Sequence, residues 1–557
     1  MADIDIQRGK LVGQQGPGSL YIDTDGASYI ISAVDKWYDR TVVNQYIDST
    51  QLKIHDVRLE KALKVRNFLA IPDYRTTNNK ENSSNTKLEI PINRFPLAEY
   101  CSKCGTFRTA KPTFIGTKRT CHYCKDRGEK VKQNFIQFPI IVICQRGHLE
   151  DFPYFRYVHA THPHVGDSSN ARVWLERTGT SILNWTIHCS CGATHSLSGV
   201  TGRGGDKSTP YMNEMKGARC HGKTPWTGSK EESECEEKPI AILRNALNVY
   251  RPELVQALSF EDSLEVSGNI TMQDIYSQEF MRLSGESKPA TDDKLKVRKS
   301  FETKTESIIE SVNFVDRLQE LMVQTDFHRD NPSDEIESFD NATKADQPSM
   351  IFSKEYQTRD WYPAKVMYGE GIFIKFQTDI LQRWSQNENV QTRFNKLQKR
   401  TADFYMGSRF KAPSDVLIHT LSHAMIKELS RHCGYPMTSI RERLYLEPGQ
   451  EGLLLYVTDS DKAGTFGGLV RLAQESKFKS IFSAAIRNID WCSSDPVCYE
   501  LGDNPGQGLQ HSNGSACHNC CFVPSTSCGY RNCYLDRDFV SRISSNVVIS
   551  NQFHWFN

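Results

Sequence analysis

Cys101-Ser102-Lys103-Cys104 and Cys121-His122-Tyr123-Cys124 are two C-x-x-C turns separated by 16 residues. Each turn lets two thiolates from a few neighbouring residues reach one ion, and two such turns complete a closed tetrahedron at about 2.3 Å per zinc–sulfur bond. The spacing falls in the zinc-ribbon range. Four protein ligands leave no open coordination position, so an ion here is expected to be structural rather than catalytic. The turns set the expected fold class: a mixed, multidomain α+β chain with zinc-ribbon-like, cysteine-rich modules.

The rest of the chain fits that frame. Its 557 residues are too many for one core and suggest three or four units. Its 17 cysteines are odd in number, cluster in the chain, and follow no secretion signal, which argues for metal rather than a disulfide framework. A formal net charge of +1 gives no overall field toward nucleic acid, so any DNA surface must be a local patch. The longest apolar runs, such as Phe138 to Ile143 and Leu453 to Val457, are far short of the ~20 residues of a membrane span. The expected location is therefore cytoplasmic, without membrane association.

Four regions are expected. Residues 1–95 read as a β-rich N-terminal part, with Ser19 to Ile22 and Ala27 to Val34 strand-like and Asp25-Gly26 a turn. Residues 96–245 are the cysteine-rich region with two zinc sites. Residues 246–410 read as a helical middle region. There Glu306 to Thr325 carries Ile308, Val312, Val315 and Met322 at helical spacing, and Thr378 to Tyr405 reads as one long helix. Residues 411–557 form an α/β unit closed by a zinc knot. It starts with a helix capped by Ser414 and stopped by Gly434, then has a buried strand from Gly452 to Thr458. A glycine-rich turn, Gly464 to Gly468, leads to a further helix from Leu469.

Beyond the first set, Cys189, Cys191, Cys220 and Cys235 form a looser candidate site, with His188, His195 and His221 as alternative ligands. Cys144 and His148 supply part of a site or are simply a buried thiol and a hydrogen-bonded ring. A third candidate draws on Cys498, Cys517, Cys520 and Cys528, with Cys492 behind Cys498 as the fourth ligand. Two or three structural zinc ions are expected in all.

Gly217-Ala218-Arg219-Cys220-His221-Gly222-Lys223-Thr224 matches the phosphate-loop pattern letter for letter. That chemistry needs a buried strand before it and a helix starting at the lysine, whose amides meet the phosphates. Tyr211 to Lys216 is not an apolar run, and Pro225-Trp226 follows, so the match is rejected and Cys220 is kept as a zinc ligand. There is no H-E-x-x-H motif. His419 and His423 lie one helical turn apart and can share a metal, but read better as packed, hydrogen-bonded rings.

Several stretches resemble a known family. Trp491-Cys492 through Cys498, Ala516-Cys517-His518-Asn519-Cys520, Thr526-Ser527-Cys528 and Arg531 to Arg537 are similar to the zinc-binding domain of MrfA-type helicases, and more closely to the DrmB family of DISARM anti-phage defence. Gly16 to Leu20, Asp35-Lys36-Trp37, Gly147-His148, Asp151-Phe152-Pro153, Pro225-Trp226, Val315 to Glu320, Gly369 to Phe373 and Arg441-Glu442-Arg443 extend the likeness through most of the chain. Cys533 and Cys521 depart from the ligand pattern. The resemblance implies a partner, a DrmA-type helicase in a heterodimer that binds DNA, with this chain not the ATPase.

The expected function is thus a non-catalytic, zinc-stabilised DNA-binding subunit of a helicase complex. Candidate phosphate contacts are Lys118 and Arg119, with Lys125, Arg127, Lys130 and Lys132, and a second set of Arg393, Lys396, Lys399 and Arg400. The competing readings are a metal-dependent nuclease built on His419, His423 and Asp459-Ser460-Asp461, and a scaffold without DNA contact.

Overall fold

Ile309–His328 is one 20-residue strand, and it is the spine of an eight-stranded sheet. One edge pairs antiparallel with Trp361–Phe376. The other pairs with Leu295–Glu302 along its first half and Arg251–Ser259 along its second. Beyond Trp361–Phe376 come Gly452–Asp459 and then Ile440–Tyr445, both antiparallel. Asn67–Ala70 runs parallel to the start of Trp361–Phe376, with Lys53–Ile54 beside it. The computed structural model describes residues 6–38, 52–72, 90–113, 116–129, 132–201, 209–229, 234–260, 268–286, 293–304, 306–329, 349–353, 356, 360–401, 410–459, 467–541 and 555–556.

The mixed helix-and-sheet class therefore holds, but the middle of the chain is chiefly sheet. The stretch Glu306 to Thr325, expected to be helical, lies almost wholly in the spine strand. The physical reason is visible in the register. Bulges between Ile309 and Ser311 and between Val315 and Leu318 shift the in–out alternation, so buried residues recur at three- and four-residue intervals that imitate a helix. The strand is also covered on both faces. Ile309 and Val312 enter one core, Val315 and Leu318 a second, and Leu321 and Val323 a third.

Helices cover the C-terminal side. Thr378 to Tyr405 is not one helix: Thr378–Ser385 ends at Gln386, and Glu388–Arg400 restarts with Asn387 Oδ1 accepting the Asn389 N–H at 3.0 Å. Residues 402–409 lie outside the described residues. Pro413–His432 is a largely buried helix. It begins one residue before the expected Ser414 cap, and Asp415 Oδ2 accepts the Lys411 and Ala412 N–H groups at 2.7 and 2.9 Å. Gly434 follows it at φ +79°, a conformation glycine adopts freely. Residues 464–466 of the glycine-rich turn are outside the described set. After it a short 3-10 turn, Val470–Ala473, precedes the helix Glu475–Ile489.

Among the described residues, four smaller sheets lie in the N-terminal half. Leu20–Ile22, Ser28–Ile31 and Ile92–Arg94 form one of them. Ala98–Cys101, Phe107–Thr109, Lys118–Arg119 and Gln133–Gln137 form the sheet that carries the first C-x-x-C turn. Leu149–Asp151, Ile140–Ile143 and Ile240–Leu243 form a third, and Val173–Arg177, Trp185–Cys189 and Thr194–Ser196 a fourth.

Two glycines in Trp361–Phe376 are sterically required. A Cβ on Gly369 would sit 1.9 Å from Val457 O, and one on Gly371 2.7 Å from Leu455 O. Between them the buried Glu370 accepts the Leu469 N–H at 2.7 Å, tying the sheet to the segment after the glycine-rich turn. Gly369→Ala should destabilise by about 1–3 kcal/mol, the usual cost of overpacking, and lower the thermal midpoint measured by scanning fluorimetry.

Candidate metal centres

The first set gathers beside one small sheet. Cys101 ends a strand, and Gly105 at φ +71° turns the chain so that its N–H reaches Cys101 O at 2.9 Å. Cys121 and Cys124 flank the start of the short helix His122–Asp126. The four Sγ atoms lie within 4.8 Å of one another, with Cys101–Cys124 at 3.8 Å and Cys104–Cys121 at 3.5 Å. Those lengths match the edge of a tetrahedron with zinc at its centre, ~3.8 Å for zinc–sulfur bonds of about 2.3 Å, and far exceed a disulfide of ~2.05 Å. All 17 cysteines are free thiols. Burial pushes Cys121 up to about 11, while hydrogen bonds with Thr106 draw Cys104 down to about 7 against its own burial. A central dication removes the obstacle to ionising all four.

The second expected set divides in two. Cys220 and Cys235 face each other in an antiparallel bridge, but their companions are Cys144 and His148. His148 Nδ1 lies 3.3 Å from Cys144 Sγ and 3.5 Å from Cys220 Sγ, and Cys235 Sγ is 3.9 Å from Cys144 Sγ. Pairing of Ile140–Ile143 with Ile240–Leu243 brings these distant segments together. The Gly222 N–H points at Cys220 Sγ at 3.4 Å, as at a metal-bound thiolate. No helix starts at Lys223; a 3-10 turn at Pro225–Thr227 follows. The loop that imitates a phosphate site thus serves the cysteine cluster.

Cys189 and Cys191 instead meet His159 and His164. His159 Nε2 lies 3.4 Å from Cys191 Sγ, and His164 Nδ1 is 3.7 Å from Cys189 Sγ. His159 Nδ1 sits 2.7 Å from Phe155 O, an arrangement that fixes the proton there and leaves Nε2 free to bind metal. Sequence reasoning missed both histidines, although the run His159-Ala160-Thr161-His162-Pro163-His164 signals them. The alternative ligands are engaged elsewhere: His188 with Glu176, His195 with Glu214, and His221 with Glu150, at 2.8 to 2.9 Å.

In the C-terminal set Cys492 and Cys498 join Cys517 and Cys520. The separations are 3.5 Å for Cys492–Cys517, 3.9 Å for Cys498–Cys520 and 3.8 Å for Cys517–Cys520. Backbone N–H groups of Ser494 and Cys517 point at Cys492 and Cys520 sulfurs at 3.4 and 3.2 Å. Cys528 is not in this group. It lies 3.3 Å from His419 Nε2, in a separate cluster with His423 and Glu442.

The basic residues read as a DNA surface are largely occupied. Arg119 and Arg108 both bind the buried Glu99, at 2.8 and 2.7 Å. Arg393 binds Asp536 and Asp538, Lys396 binds Asp503 at 2.9 Å, and Arg400 donates to Gly502 O at 3.0 Å. These three fasten the helix Glu388–Arg400 to the C-terminal cysteine-rich segment. Lys118, Lys125, Arg127, Lys132 and Lys399 are exposed, and Lys130 is outside the described residues.

Residues 421–521 match the family model described as the MrfA Zn-binding domain, the span that holds Cys492, Cys498, Cys517 and Cys520. The chain carries an MrfA Zn-binding domain. Residues 7–251, with the other three cysteine sets, match a domain of unknown function, DUF8724. The chain is also similar to the "DISARM protein DrmB" of Bacillus paralicheniformis, 25% identical over 89% of this chain and 95% of that protein. The resemblance read from the sequence thus extends almost end to end. Among the described residues no helix is long and apolar enough to cross a membrane.

Proposed function

We propose that this chain is a non-ATPase, zinc-stabilised subunit of an anti-phage defence complex, and that it binds DNA together with a DrmA-type helicase in the cytoplasm. The observation that supports the reading most strongly is the similarity to DISARM protein DrmB along nearly the full length of both chains. In this reading zinc fills the four cysteine-rich sets, and each set is a closed frame rather than a reaction centre. Copurification with a DrmA-type helicase tests the partnership. The helicase's DNA-dependent ATPase rate should change when this chain is added. No association and no change in rate would overturn the reading.

In this reading the DNA surface lies at the first cysteine knot, and the exposure of Lys118, Lys125, Arg127 and Lys132 supports it. Arg172 stacks on Tyr123 at 3.4 Å and Arg127 lies 4.9 Å from the same ring, so the knot carries cationic and aromatic groups together. Reversing Lys118, Lys125 and Arg127 to Glu should weaken DNA binding by at least tenfold. It should also reduce the salt dependence by roughly 2–3 in the log–log slope, about 0.9 for each phosphate no longer neutralised. Mobility-shift titrations at several salt concentrations check both. Unchanged affinity would move the DNA contact elsewhere.

A further inference from the structure

The cluster that captures Cys528 is built from three separate parts of the fold. His419 and His423 stand one turn apart on the helix Pro413–His432, Glu442 is in the strand Ile440–Tyr445, and Cys528 is in the C-terminal loop. One ligand atom from each lies within 4.8 Å of the others. His419 Nε2 is 3.2 Å from Glu442 Oε1 and 3.3 Å from Cys528 Sγ, and His423 Nε2 is 3.5 Å from Glu442 Oε2. A tetrahedral zinc ion with nitrogen, oxygen and sulfur ligands at about 2.0–2.3 Å spaces its ligands ~3.3–3.7 Å apart.

The polar atoms are placed as ligands, and Glu442 Oε2 also accepts the Ser422 hydroxyl. His423 Nδ1 lies 2.9 Å from Cys521 O, which fixes the ring and turns Nε2 toward the carboxylate. His423 Nε2 and Glu442 Oε1 are buried without a hydrogen-bond partner. Such orphaned atoms cost about 1–3 kcal/mol each and are rarely left so. Cys528 Sγ receives the N–H groups of Tyr530 and Asn532 at 3.3 and 3.4 Å, the same backbone cradle seen at Cys492 and Cys520.

The buried charges also favour a cation. The side chains of His419, His423 and Glu442 are 0% exposed. The adjacent cations face the other side of the strand, Arg441 toward Glu320 at 3.4 Å and Arg443 toward Glu279 at 2.7 Å. Without a metal, the counter-charge within reach of Glu442 is a protonated His419 or His423 ring, and burying a charged ring is itself disfavoured. One dication with one carboxylate, one thiolate and two neutral imidazoles sums to zero. The thiolate and imidazoles select zinc-class ions over calcium or magnesium.

The geometry points to a further metal site: His419, His423, Glu442 and Cys528 hold a closed, structural zinc-class ion that pins the C-terminal loop to the edge of the central sheet. It is separate from the ion of the MrfA Zn-binding domain, because that domain has its own four cysteines and the 421–521 match includes neither His419 nor Cys528. Four ligands and full burial leave no position for a substrate, so the nuclease reading of His419 and His423 has no accessible centre.

Crystals of the full chain, measured on both sides of the zinc absorption edge, test this without any variant. An anomalous peak between these four side chains is expected, and its absence would overturn the site. In solution, native mass spectrometry should show one metal ion fewer per chain for Cys528→Ala and for Glu442→Gln, and the full complement for Cys528→His, which restores a ligand. An unchanged count in folded Cys528→Ala would equally overturn it. If the variants do not fold, the diffraction result on the unaltered protein decides.

Discussion

Cys498→Ser should remove one zinc ion per chain and with it the fold of the C-terminal segment. Cys498, Cys492 and Cys520 are buried and belong to the same apolar core as the helices Pro413–His432 and Glu475–Ile489. Without the ion that core would hold three thiols at close quarters. The neighbouring Cys520 sulfur and burial already push Cys498 upward in this cluster, so closely packed thiols cannot all ionise unaided. Structural zinc contributes about 10–16 kcal/mol in small zinc modules, as much as the ~5–15 kcal/mol stability of a whole domain. Even a fraction of that loss should unfold the segment near 37 °C. Zinc analysis should report one ion lost, and limited proteolysis should show new cleavage between residues 490 and 541. Cys492→Ser should behave alike. Cys533→Ser should keep its metal, because that buried thiol belongs to none of the ligand clusters. A Cys498→Ser protein with full metal content would remove Cys498 from the ligand set.

What could be read in the sequence follows from how local each site is. Cys101, Cys104, Cys121 and Cys124 come from two turns close in the chain, so their spacing nearly determines their geometry. Cys144 and Cys220 are brought together by the pairing of Ile140–Ile143 with Ile240–Leu243 and by hydrogen bonds of Leu149 and Glu150 with the segment after Cys220, and no spacing rule contains those contacts. Spacing alone therefore groups Cys189 and Cys191 with the nearest unassigned cysteines rather than with His159 and His164. Cys528 is a similar case: it follows Cys520 closely, yet its partners come from a helix and a strand more than eighty residues upstream. The spine strand misleads for a different reason. Bulges and double-sided burial erase its two-residue period, and the helical spacing of Ile308, Val312 and Val315 is what remains. The basic stripe of Glu388–Arg400 shows its spacing in the sequence but not its partners, because Asp503, Asp536 and Asp538 lie more than a hundred residues away.

Arg393→Ala should destabilise the protein by about 3–5 kcal/mol, the cost of stranding buried charge. Its guanidinium grips Asp536 through two nitrogens at 2.6 and 2.9 Å, reaches Asp538 at 2.7 Å and donates to Ser515 Oγ at 3.0 Å. Its side chain is 12% exposed, and those of Asp536 and Asp538 are 2% and 3%. Truncation leaves two buried carboxylates side by side, and Gly514, where a Cβ would sit 2.1 Å from Asp536 Oδ2, crowds Asp536 on one side. Arg393→Lys should recover only part of the loss, because an ammonium cannot make the bidentate contact. The defect should also depend on pH. Burial and Asp536 push Asp538 up to about 7 even with Arg393 present. Because that folded value lies above the ordinary carboxylate value, the folded state prefers Asp538 protonated, and stability falls as pH rises from about 4 through 7. Removing the guanidinium raises Asp538 further, so the drop in thermal midpoint should be larger at pH 8 than at pH 6. Thermal melts of the wild type and both variants across that range check the sign. This result also separates two roles for one residue. A DNA contact would give a variant with normal stability and weakened binding, whereas the ion pair gives a less stable protein whose folded fraction binds DNA as well as before.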